Sequence, residues 1–397
     1  MTYTSSTSNV EFFGKIEDIP NKIWDDLCCD QNVYLSKEYL SCIEKNHTSV
    51  SFSYMILYNS NRRPIAFSII QIVDFYLDGV NDSIEDFVLR IKKILRKLGV
   101  FPDKKPIKLL ISGNLFVSGE HGIFIKPKED KRQVIKQLSK ALLGFVSENK
   151  NLAKSIDAFM LKDFLDESLF ITNELKRFNY HPFSVEPNME LKLNPKWSNF
   201  DDYLGAMKTK FRVKAKKALS QSSDLEVKDI SAKEIDSYLP DMISLYEKVA
   251  NSATFNLTHF NLNTYQDLKE KFGEYYFIRC YFLEGKMVGF LSGIENHDYL
   301  DAHFVGIDYK YNRTYAIYQR MLYDYIQHGI AKKLKGINFG RTASEIKSSV
   351  GAEPENLTIY LRHRKRFTNK LLKLFLFHVQ PTPFHQKFPF KNSIHEK

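Results

Sequence analysis

The chain has 397 residues, of which 43% are hydrophobic and 14% aromatic, and it carries a formal net charge of +10. This composition excludes a disordered protein. The chain is too long for a single hydrophobic core, since domains usually hold about 100–200 residues. We therefore expect a globular protein of two domains.

The amino-terminal half alternates strands and helices. Residues 51–75 predict two strands joined by a polar turn, because β-branched and aromatic residues flank Asn, Ser, Arg and Pro. Apolar residues at helical spacing predict a helix over 83–97, and IKLLIS at 107–112 predicts a buried strand. The half is completed by a predicted helix near 130–149, a strand near 155–161 and a helix near 165–178.

The carboxyl-terminal half repeats this order. Residues 275–296 predict a hairpin that turns at Glu284-Gly285-Lys286, followed by strands at 299–308 and 334–340. Between these strands, 314–327 is amphipathic, and Gly329 is its predicted end because glycine tolerates the left-handed conformation that closes a last turn. Two α/β units in tandem are therefore expected.

We place the two domains at 1–190 and 191–365, followed by a basic and apolar tail at 366–397. In this tail, cations lie beside a block of Leu and Phe residues at 371–377. Such a pattern suits an interfacial helix at an anionic membrane surface. A terminal helix packed on the core of the protein is the alternative.

Four cysteines, Cys28, Cys29, Cys42 and Cys280, form neither a C-x-x-C pair nor a disulfide-rich spacing. We expect no metal site and a reducing compartment. The first ten residues lack the order of a secretory signal, and no stretch reaches the roughly 20 apolar residues of a spanning helix. A cytoplasmic protein is expected, with peripheral membrane contact left open.

Residues 200–221 predict one amphipathic helix with a strongly basic polar face. Its apolar face holds Leu204, Met207, Phe211, Ala215 and Ala218. Its cations are Lys208, Lys210, Arg212, Lys214, Lys216 and Lys217, with no acidic residue among them. These cations either keep a surface helix solvated or hold an anionic donor, in which case Lys210, Arg212 and Lys216 are the donor-binding candidates.

The stretch MKTKFRVKAKKAL at 207–219 resembles the motif that opens the second half of FemA/FemX-like proteins and of related GNAT-superfamily acyltransferases. The predicted hairpin at 275–296 and the closing stretch with FGR, a lysine and GAEP are similar to the same group. In that closing motif stand Arg341, Lys347 and Gly351. The resemblance is best over 200–363, and it implies an α/β (α+β) fold of two tandem GNAT-like domains, each a mixed, largely antiparallel sheet flanked by helices.

The resemblance also implies a bacterial N-acyltransferase that moves an acyl group from a thioester, acyl-coenzyme A or an acyl carrier protein, to an amine on a small molecule or lipid. Two alternatives stay open: FemX-like transfer from aminoacyl-tRNA to a cell-wall or lipid precursor, and an inert GNAT-fold module that binds membrane or nucleic acid. Many GNAT enzymes cradle the pyrophosphate of coenzyme A in a glycine-containing loop at a helix start. Residues 306–319 lack that glycine pattern, which leaves the donor open.

Acyl transfer to an amine needs a proton acceptor. Regular alternation along 299–308 predicts that Asp301, His303 and Val305 share one face of a strand. His303 is the candidate base with Asp301 orienting it, and Glu295 is a second candidate base. Packing and hydrogen bonding in a half-polar core position are the alternative for Asp301 and His303.

Two further segments supply candidate ligand-binding residues. Arg341 follows a predicted strand end, where a guanidinium can make a bidentate contact to a carboxylate or phosphate, and Lys347 can add a point charge. A structural salt bridge is the alternative. Residues 111–125 hold three glycines around Glu120 and His121, which are candidates for phosphate binding if this is not simply a long hairpin turn.

Overall fold

A computed structural model describes residues 3–4, 9–75, 106–251 and 257–391 of the chain. The helix predicted at 83–97 lies outside these residues. The chain divides into two compact units. The amino-terminal unit comprises Met1–Glu186, Thr254–Phe260 and Asn356–Pro381, and the carboxyl-terminal unit comprises Pro187–Ala253, Asn261–Glu355 and Thr382–Lys397.

Strands and helices are numbered in chain order. The strands are β1 (Tyr3–Thr4), β2 (Val10–Phe13), β3 (Ser51–Tyr58), β4 (Pro64–Phe75), β5 (Ile107–Ser112), β6 (Ile123–Ile125), β7 (Ala158–Leu165), β8 (His181–Lys192), β9 (Glu226–Asp229), β10 (Tyr276–Leu283), β11 (Lys286–Asn296), β12 (Tyr299–Ile307), β13 (Gly336–Asn338) and β14 (Glu353–His363). The α-helices are α1 (Asn21–Leu27), α2 (Lys37–Asn46), α3 (Lys131–Glu148), α4 (Lys150–Ser155), α5 (Leu169–Thr172), α6 (Phe200–Ala206), α7 (Thr209–Gln221), α8 (Ala232–Ala250), α9 (Thr264–Phe272), α10 (Tyr309–Tyr315), α11 (Ile317–Ala331), α12 (Ser344–Ser349) and α13 (Arg366–Leu376).

In the amino-terminal unit the strand order is β1-β2-β3-β4-β5-β7-β14, and β6 pairs with β4. The paired strands are antiparallel except for β5 and β7, which are parallel. The hairpin predicted at 51–75 and the strand predicted at 107–112 are confirmed as β3–β4 and β5. The Asp130 side chain caps the predicted helix α3 by accepting from Arg132 N and Gln133 N.

The helical segment predicted at 165–178 is present over 166–178, but most of it is 3-10 rather than α-helical. Short 3-10 turns at Asp166–Ser168 and Asn173–Phe178 enclose the single turn of α5. Two polar side chains of this segment contact a residue far along the chain. The Tyr360 hydroxyl lies 3.0 Å from Thr172 Oγ1 and donates to Asn173 Oδ1 at 3.4 Å. Thr and Asn are also weak helix formers, so regular helical hydrogen bonding gives way to this tertiary contact.

In the carboxyl-terminal unit the strand order is β8-β13-β12-β11-β10-β9, antiparallel except for the parallel pair β12 and β13. The predicted hairpin at 275–296 is confirmed, with Glu284 (φ 50°) and Gly285 (φ 78°) both in the left-handed region that a two-residue hairpin turn requires. Each unit therefore combines a hairpin, an adjacent antiparallel strand and one parallel pair. This confirms the predicted mixed, largely antiparallel sheets flanked by helices.

Two helix predictions in this unit need correction. The basic segment is not one helix but two, α6 and α7, because Met207 forms a β-bridge with Phe390 and Lys208 N donates to Pro389 O at 2.7 Å. Gly329 does not end a helix, since α11 continues to Ala331. A Cβ at Gly329 would lie 2.8 Å from Leu193 Cδ1, so this glycine serves close packing rather than termination.

Helices cover both faces of this second sheet. On one face, named the α11 face, Ile317 and Met321 of α11 and Ala215 and Ala218 of α7 join a core that includes Leu291 of β11. On the opposite face, named the α8 face, the Tyr246 ring of α8 contacts Phe304 and the Tyr265 hydroxyl of α9 contacts Ser292 Oγ at 3.0 Å. The candidate residues of β11 and β12 are therefore divided between two environments.

Candidate active site

The parallel strands β12 and β13 pair at only three positions. These are Tyr299 with Gly336, Leu300 with Ile337, and Asp301 with Asn338. β12 then continues to Ile307, whereas β13 ends at Asn338. The two neighbouring parallel strands are thus no longer paired with each other towards their carboxyl ends. Ligands commonly bind at this edge of an open α/β sheet.

Asp301 links the strands at the point where their pairing ends. Its side chain is 4% exposed and accepts from Asn338 Nδ2 at 2.6 Å and from Asn296 Nδ2 at 3.5 Å. The amide of Asn188 extends this polar chain, since its Nδ2 lies 3.3 Å from Asn338 Oδ1 and 3.2 Å from Glu355 Oε2. A buried carboxylate with amide donors holds strands in place, so Asp301 is a positioning residue.

A β-bulge interrupts the alternation of β12. Between Ala302 and Val305 this strand has one residue more than β11, and both His303 and Phe304 stand opposite Ser292. Ser292 Oγ accepts from Phe304 N at 3.1 Å and donates to Phe304 O at 3.0 Å. The extra residue reverses the side-chain alternation beyond it, so the predicted face shared with His303 is wrong for Val305.

His303 lies on the α8 face in a cluster of aromatic rings. Its ring centre is 4.4 Å from that of Phe304, 5.9 Å from Tyr276 and 6.3 Å from Tyr265. The Tyr276 hydroxyl is 3.4 Å from His303 Nδ1. Asp301 lies on the same face but bonds to amides, so the structure gives these two predicted partners different hydrogen-bond environments.

Glu295 lies on the other side of the sheet. It follows Ile294, which pairs with Asp301, and the pleat therefore turns its side chain to the α11 face. There Glu295 Oε1 is 3.0 Å from His328 Nε2 and 3.8 Å from Lys332 Nζ, and the carboxylate is 7% exposed. Burial lowers the pKa of His328 although Glu295 opposes this effect. The structure does not bring this candidate base to the α8 face.

The pair of Glu295 with His328 was missed by the sequence reasoning. The predicted helix, which was expected to end at Gly329, already places His328 one turn after Asp324, because residues at i and i+4 share a helix face. The pairing to a strand residue has no such local signal.

The loop that carries Arg341 has an unusual backbone. Gly340, Thr342 and Ala343 have φ values of 70°, 67° and 49°, and non-glycine residues in this region cost about 1 kcal/mol or more each. Lys347 from α12 stabilises the loop by donating to Gly340 O at 3.2 Å and to Arg341 O at 2.6 Å. The half-buried Arg341 thus follows β13 in a conformation held by a second predicted site residue.

Lys347 is itself buried. It is 4% exposed, and desolvation lowers its pKa from the usual 10.5 to about 7. Its amine is therefore used within the protein as a donor to two carbonyl oxygens, rather than as an exposed point charge. This role follows from tertiary burial that the short polar stretch around Lys347 did not indicate.

The basic helix α7 presents its cations on two flanks. Arg212 and Lys216, four residues apart, lie on one flank, whereas Lys210 and Lys214 lie on the other. Lys210 and Lys216 are exposed and Arg212 is half-buried. Lys387 mainly, with a smaller contribution from Lys214, lowers the pKa of Glu345 in α12. Lys214, on the same flank as Lys210, therefore lies near Glu345 in the helix that follows the Arg341 loop.

The helix starts that follow β12 are occupied by side chains of the chain itself. Asp308 Oδ1 accepts from Lys310 N at 3.2 Å at the start of α10, and its other carboxylate oxygen lies 3.3 Å from Lys248 Nζ. At the start of α11, Asn312 Oδ1 accepts from Tyr318 N at 2.9 Å. Two backbone N–H groups at these helix starts, those of Lys310 and Tyr318, are thus already bonded to side chains.

Glu120 and His121 lie in the amino-terminal unit. Glu120 Oε1 accepts from Leu165 N at 2.9 Å, and His121 Nδ1 lies 2.9 Å from Asn32 Nδ2. A Cβ at Gly122 would lie 2.2 Å from Gly113 Cα, so glycine allows two parts of this loop to pack together. Both predicted phosphate ligands therefore contribute contacts within their own unit.

Within residues 3–4, 9–75, 106–251 and 257–391, no cluster of three or more His, Cys, Asp or Glu side chains is placed to hold a metal ion. Over the same described residues, none of the helices combines the length and the apolar character that crossing a membrane would take.

Comparison with known proteins gives matches at the level of structure. No protein-family model and no curated protein matches the chain. The crystal structure of FemX is similar with a TM-score of 0.51 at 10% identity, covering 84% of this chain and 92% of that one. A tandem GNAT protein from the clavulanic acid biosynthesis pathway has a TM-score of 0.51 at 8% identity, covering 89% and 98%. L-PGS from Bacillus licheniformis has a TM-score of 0.47 at 13% identity, covering 92% and 98%.

These similarities define the class of the fold. The chain has a tandem GNAT fold of the FemX type, as its sequence predicted. At such low identities the likeness concerns the fold alone, and the chemistry has to be argued from the residues of this chain.

Proposed function

We propose that this protein is an N-acyltransferase that moves an acyl group from an activated donor to an amine. The observation that carries the proposal is the early end of pairing between β12 and β13, with His303 in the bulge of one strand and Arg341 just after the other. A reacting carbonyl between these strand ends would have a proton acceptor on one side and a cation on the other.

The reaction exchanges one bond and moves one proton from the amine to the leaving group. The neutral amine nitrogen bonds to the acyl carbon, His303 takes the proton that this nitrogen then loses, and the carbon–sulfur or carbon–oxygen bond to the donor breaks. The departing sulfur or oxygen takes up that proton from His303. Tyr276, whose hydroxyl is 3.4 Å from His303 Nδ1, orients the imidazole, and Asp301 fixes the strand that carries it.

Cations on two elements would hold the donor. Arg341 offers a planar set of donors to a carboxylate or phosphate. On α7, Lys210 adds positive charge on the flank nearer the Arg341 loop, whereas Arg212 and Lys216 lie on the other flank and would contact only a more distant part of a large donor. Each donor considered, acyl-coenzyme A, an acyl carrier protein thioester and charged tRNA, is polyanionic. The positive charge of these side chains therefore suits all three donors. Which of the three binds depends on the shape of the site.

One observation favours charged tRNA as a second candidate donor. Asp308 and Asn312 already bond to the backbone N–H groups of Lys310 and Tyr318 at the helix starts after β12. A coenzyme A pyrophosphate would have to displace these caps, whereas an RNA could contact exposed lysines through many separate phosphates. Aminoacyl transfer from tRNA to a cell-wall or lipid precursor is the corresponding reaction.

Donor binding can be measured with the full chain. We expect one of three donors, acyl-coenzyme A, acyl carrier protein thioester or aminoacyl-tRNA, to raise the melting temperature. A donor at about a hundred times its Kd stabilises by about 2.7 kcal/mol. Mass spectrometry of a mixture with candidate amines should then detect the acylated product. A melting temperature that none of the donors changes, together with no product, would support an inert GNAT-fold module instead.

Replacing His303 by glutamine should lower kcat by about a hundredfold or more with little change in KM, because general-base catalysis contributes about this much. The rate is measured over pH with the donor found above. Tyr276→Phe is the matched control, since it removes only the hydroxyl next to the imidazole and should cost far less. An unchanged kcat in a folded His303→Gln protein would assign His303 to aromatic packing.

A further inference from the structure

Helix α13 packs one face on the amino-terminal unit and leaves the other exposed. Thr368, Asn369, Leu372 and Leu376 are buried. Asn369 fixes the helix, because its Oδ1 accepts from His363 N at 2.7 Å and its Nδ2 donates to Asn179 O at 2.8 Å. Helix α13 is therefore held on its own unit, as one of the two sequence interpretations expected, but this contact uses only half of the helix surface.

The opposite half exposes large apolar side chains. Phe367 is 66% exposed, Leu374 65% and Phe377 79%. Phe367 and Leu374 are seven residues, about two helical turns, apart and lie on the same side of the helix. Exposed apolar residues scattered singly are ordinary, whereas three on one short segment mark an interaction surface.

Cations accompany these apolar side chains. Lys365, Arg366, Lys370 and Lys373 are all exposed, and Lys370 lies one turn from both Phe367 and Leu374. No Asp or Glu occurs between Arg362 and Lys391. The surface is therefore apolar and positively charged at once, over a helix of 11 residues, about 16 Å in length.

We propose that this face of α13 docks on an anionic membrane surface, with Phe367, Leu374 and Phe377 inserted at the boundary of the headgroups and acyl chains. Lys365, Arg366, Lys370 and Lys373 then lie at the level of anionic headgroups. The helix is too short to span a bilayer, and lying in the interface is the arrangement that uses both its apolar and its charged side chains.

The apolar surface continues beyond the end of the helix. An open cavity of about 350 Å³ is lined by Leu376 and Phe377 together with Leu169, Phe183 and Lys176 of the same unit. Polar side chains, among them Asn173, Ser184 and Thr358, share this lining, so the cavity joins apolar and polar groups beside a lysine. A membrane surface covers both features, whereas a nucleic acid would pair with the cations but leave Phe367 and Leu374 exposed to water.

The test uses the full chain and vesicles of two compositions, phosphatidylcholine alone and phosphatidylcholine with about one third phosphatidylglycerol. We expect cosedimentation with the anionic vesicles, weakened by salt. Lys370→Gln with Lys373→Gln should lower the partition coefficient about thirtyfold, since each cation near the surface contributes about fivefold. Phe367→Ser with Leu374→Ser should lower it at least about tenfold.

Matched controls distinguish docking through α13 from nonspecific vesicle binding through other exposed cations or aromatic side chains. Lys140→Gln with Lys150→Gln removes two exposed cations of the same unit, and Tyr275→Ser removes an exposed aromatic side chain of the other unit. Both controls should bind vesicles as the parent does. Circular dichroism checks that each variant is folded.

Other outcomes would contradict membrane docking. No binding to anionic vesicles overturns the proposal, as does binding that Phe367→Ser with Leu374→Ser leaves unchanged. Binding to RNA that depends on Lys370 and Lys373 but not on the apolar pair would assign the face to nucleic acid. Vesicle binding does not require catalysis, so this test and the donor test fail independently.

Discussion

Arg341→Ala is expected to lower the rate of acyl transfer at least about a hundredfold while the protein remains folded. The guanidinium is half-buried just after β13, where it would contact the anionic part of the donor. A charge-assisted contact that acts in the transition state is worth about 3 kcal/mol, which corresponds to about two orders of magnitude in rate. Initial rates and donor Kd are measured on the same preparation.

Two further variants test the geometry of this contact. Arg341→Lys keeps the charge but loses the planar pair of donors, so we expect only partial recovery of the rate. Arg177→Ala removes an exposed arginine of the amino-terminal unit and should leave the rate unchanged. If Arg341→Ala loses stability but transfers the acyl group at the parental rate, Arg341 is a structural residue and the proposed site is wrong.

In the parent protein the free energy of unfolding should increase with pH, and Lys347→Met is expected to remove this increase. Burial lowers the pKa of Lys347 to about 7 in the folded protein, whereas it stays near 10.5 in the unfolded chain. Between these values the unfolded state binds more protons, so the free energy of unfolding rises with pH. From about pH 7.5 to about pH 9 the rise should approach 2 kcal/mol.

Urea unfolding at both pH values measures this difference. Methionine has similar length and no ionisable group, so the variant should show almost none of the increase. Lys233→Met, at an exposed position of the same unit, is the control and should keep it. A parental protein whose stability is flat over this range would contradict a neutral buried amine. Reduced transfer by folded Lys347→Met would show that Arg341 depends on the loop that Lys347 holds.

The repeating parts of the fold could be predicted from the sequence because they depend on local patterns. Alternating and apolar runs separated by turn residues identified β3–β4 and β10–β11, and Glu284-Gly285 supplied the left-handed turn. The capped helix α3 was found by its spacing alone. Each of these signals lies within one segment, where side-chain period and turn chemistry decide the structure.

Features that depend on distant partners were missed or changed. The β-bulge at His303 is defined against Ser292 of another strand, and it moved Val305 to the other face. The interruption between α6 and α7 depends on Pro389 and Phe390, far along the chain. No window around these residues contains the group that determines their conformation.

The sequence by itself determined two α/β units of hairpins and helices, the basic face of α7, and the positions of His303 within one strand and of Arg341 just after another. Tertiary structure decided which of these residues share an environment. It placed Glu295 on His328 across the sheet from His303 and buried Lys347 beneath the Arg341 loop. The physical reason is that periodicity sets which way a side chain points, whereas burial and hydrogen-bond partners arise only when separate segments pack.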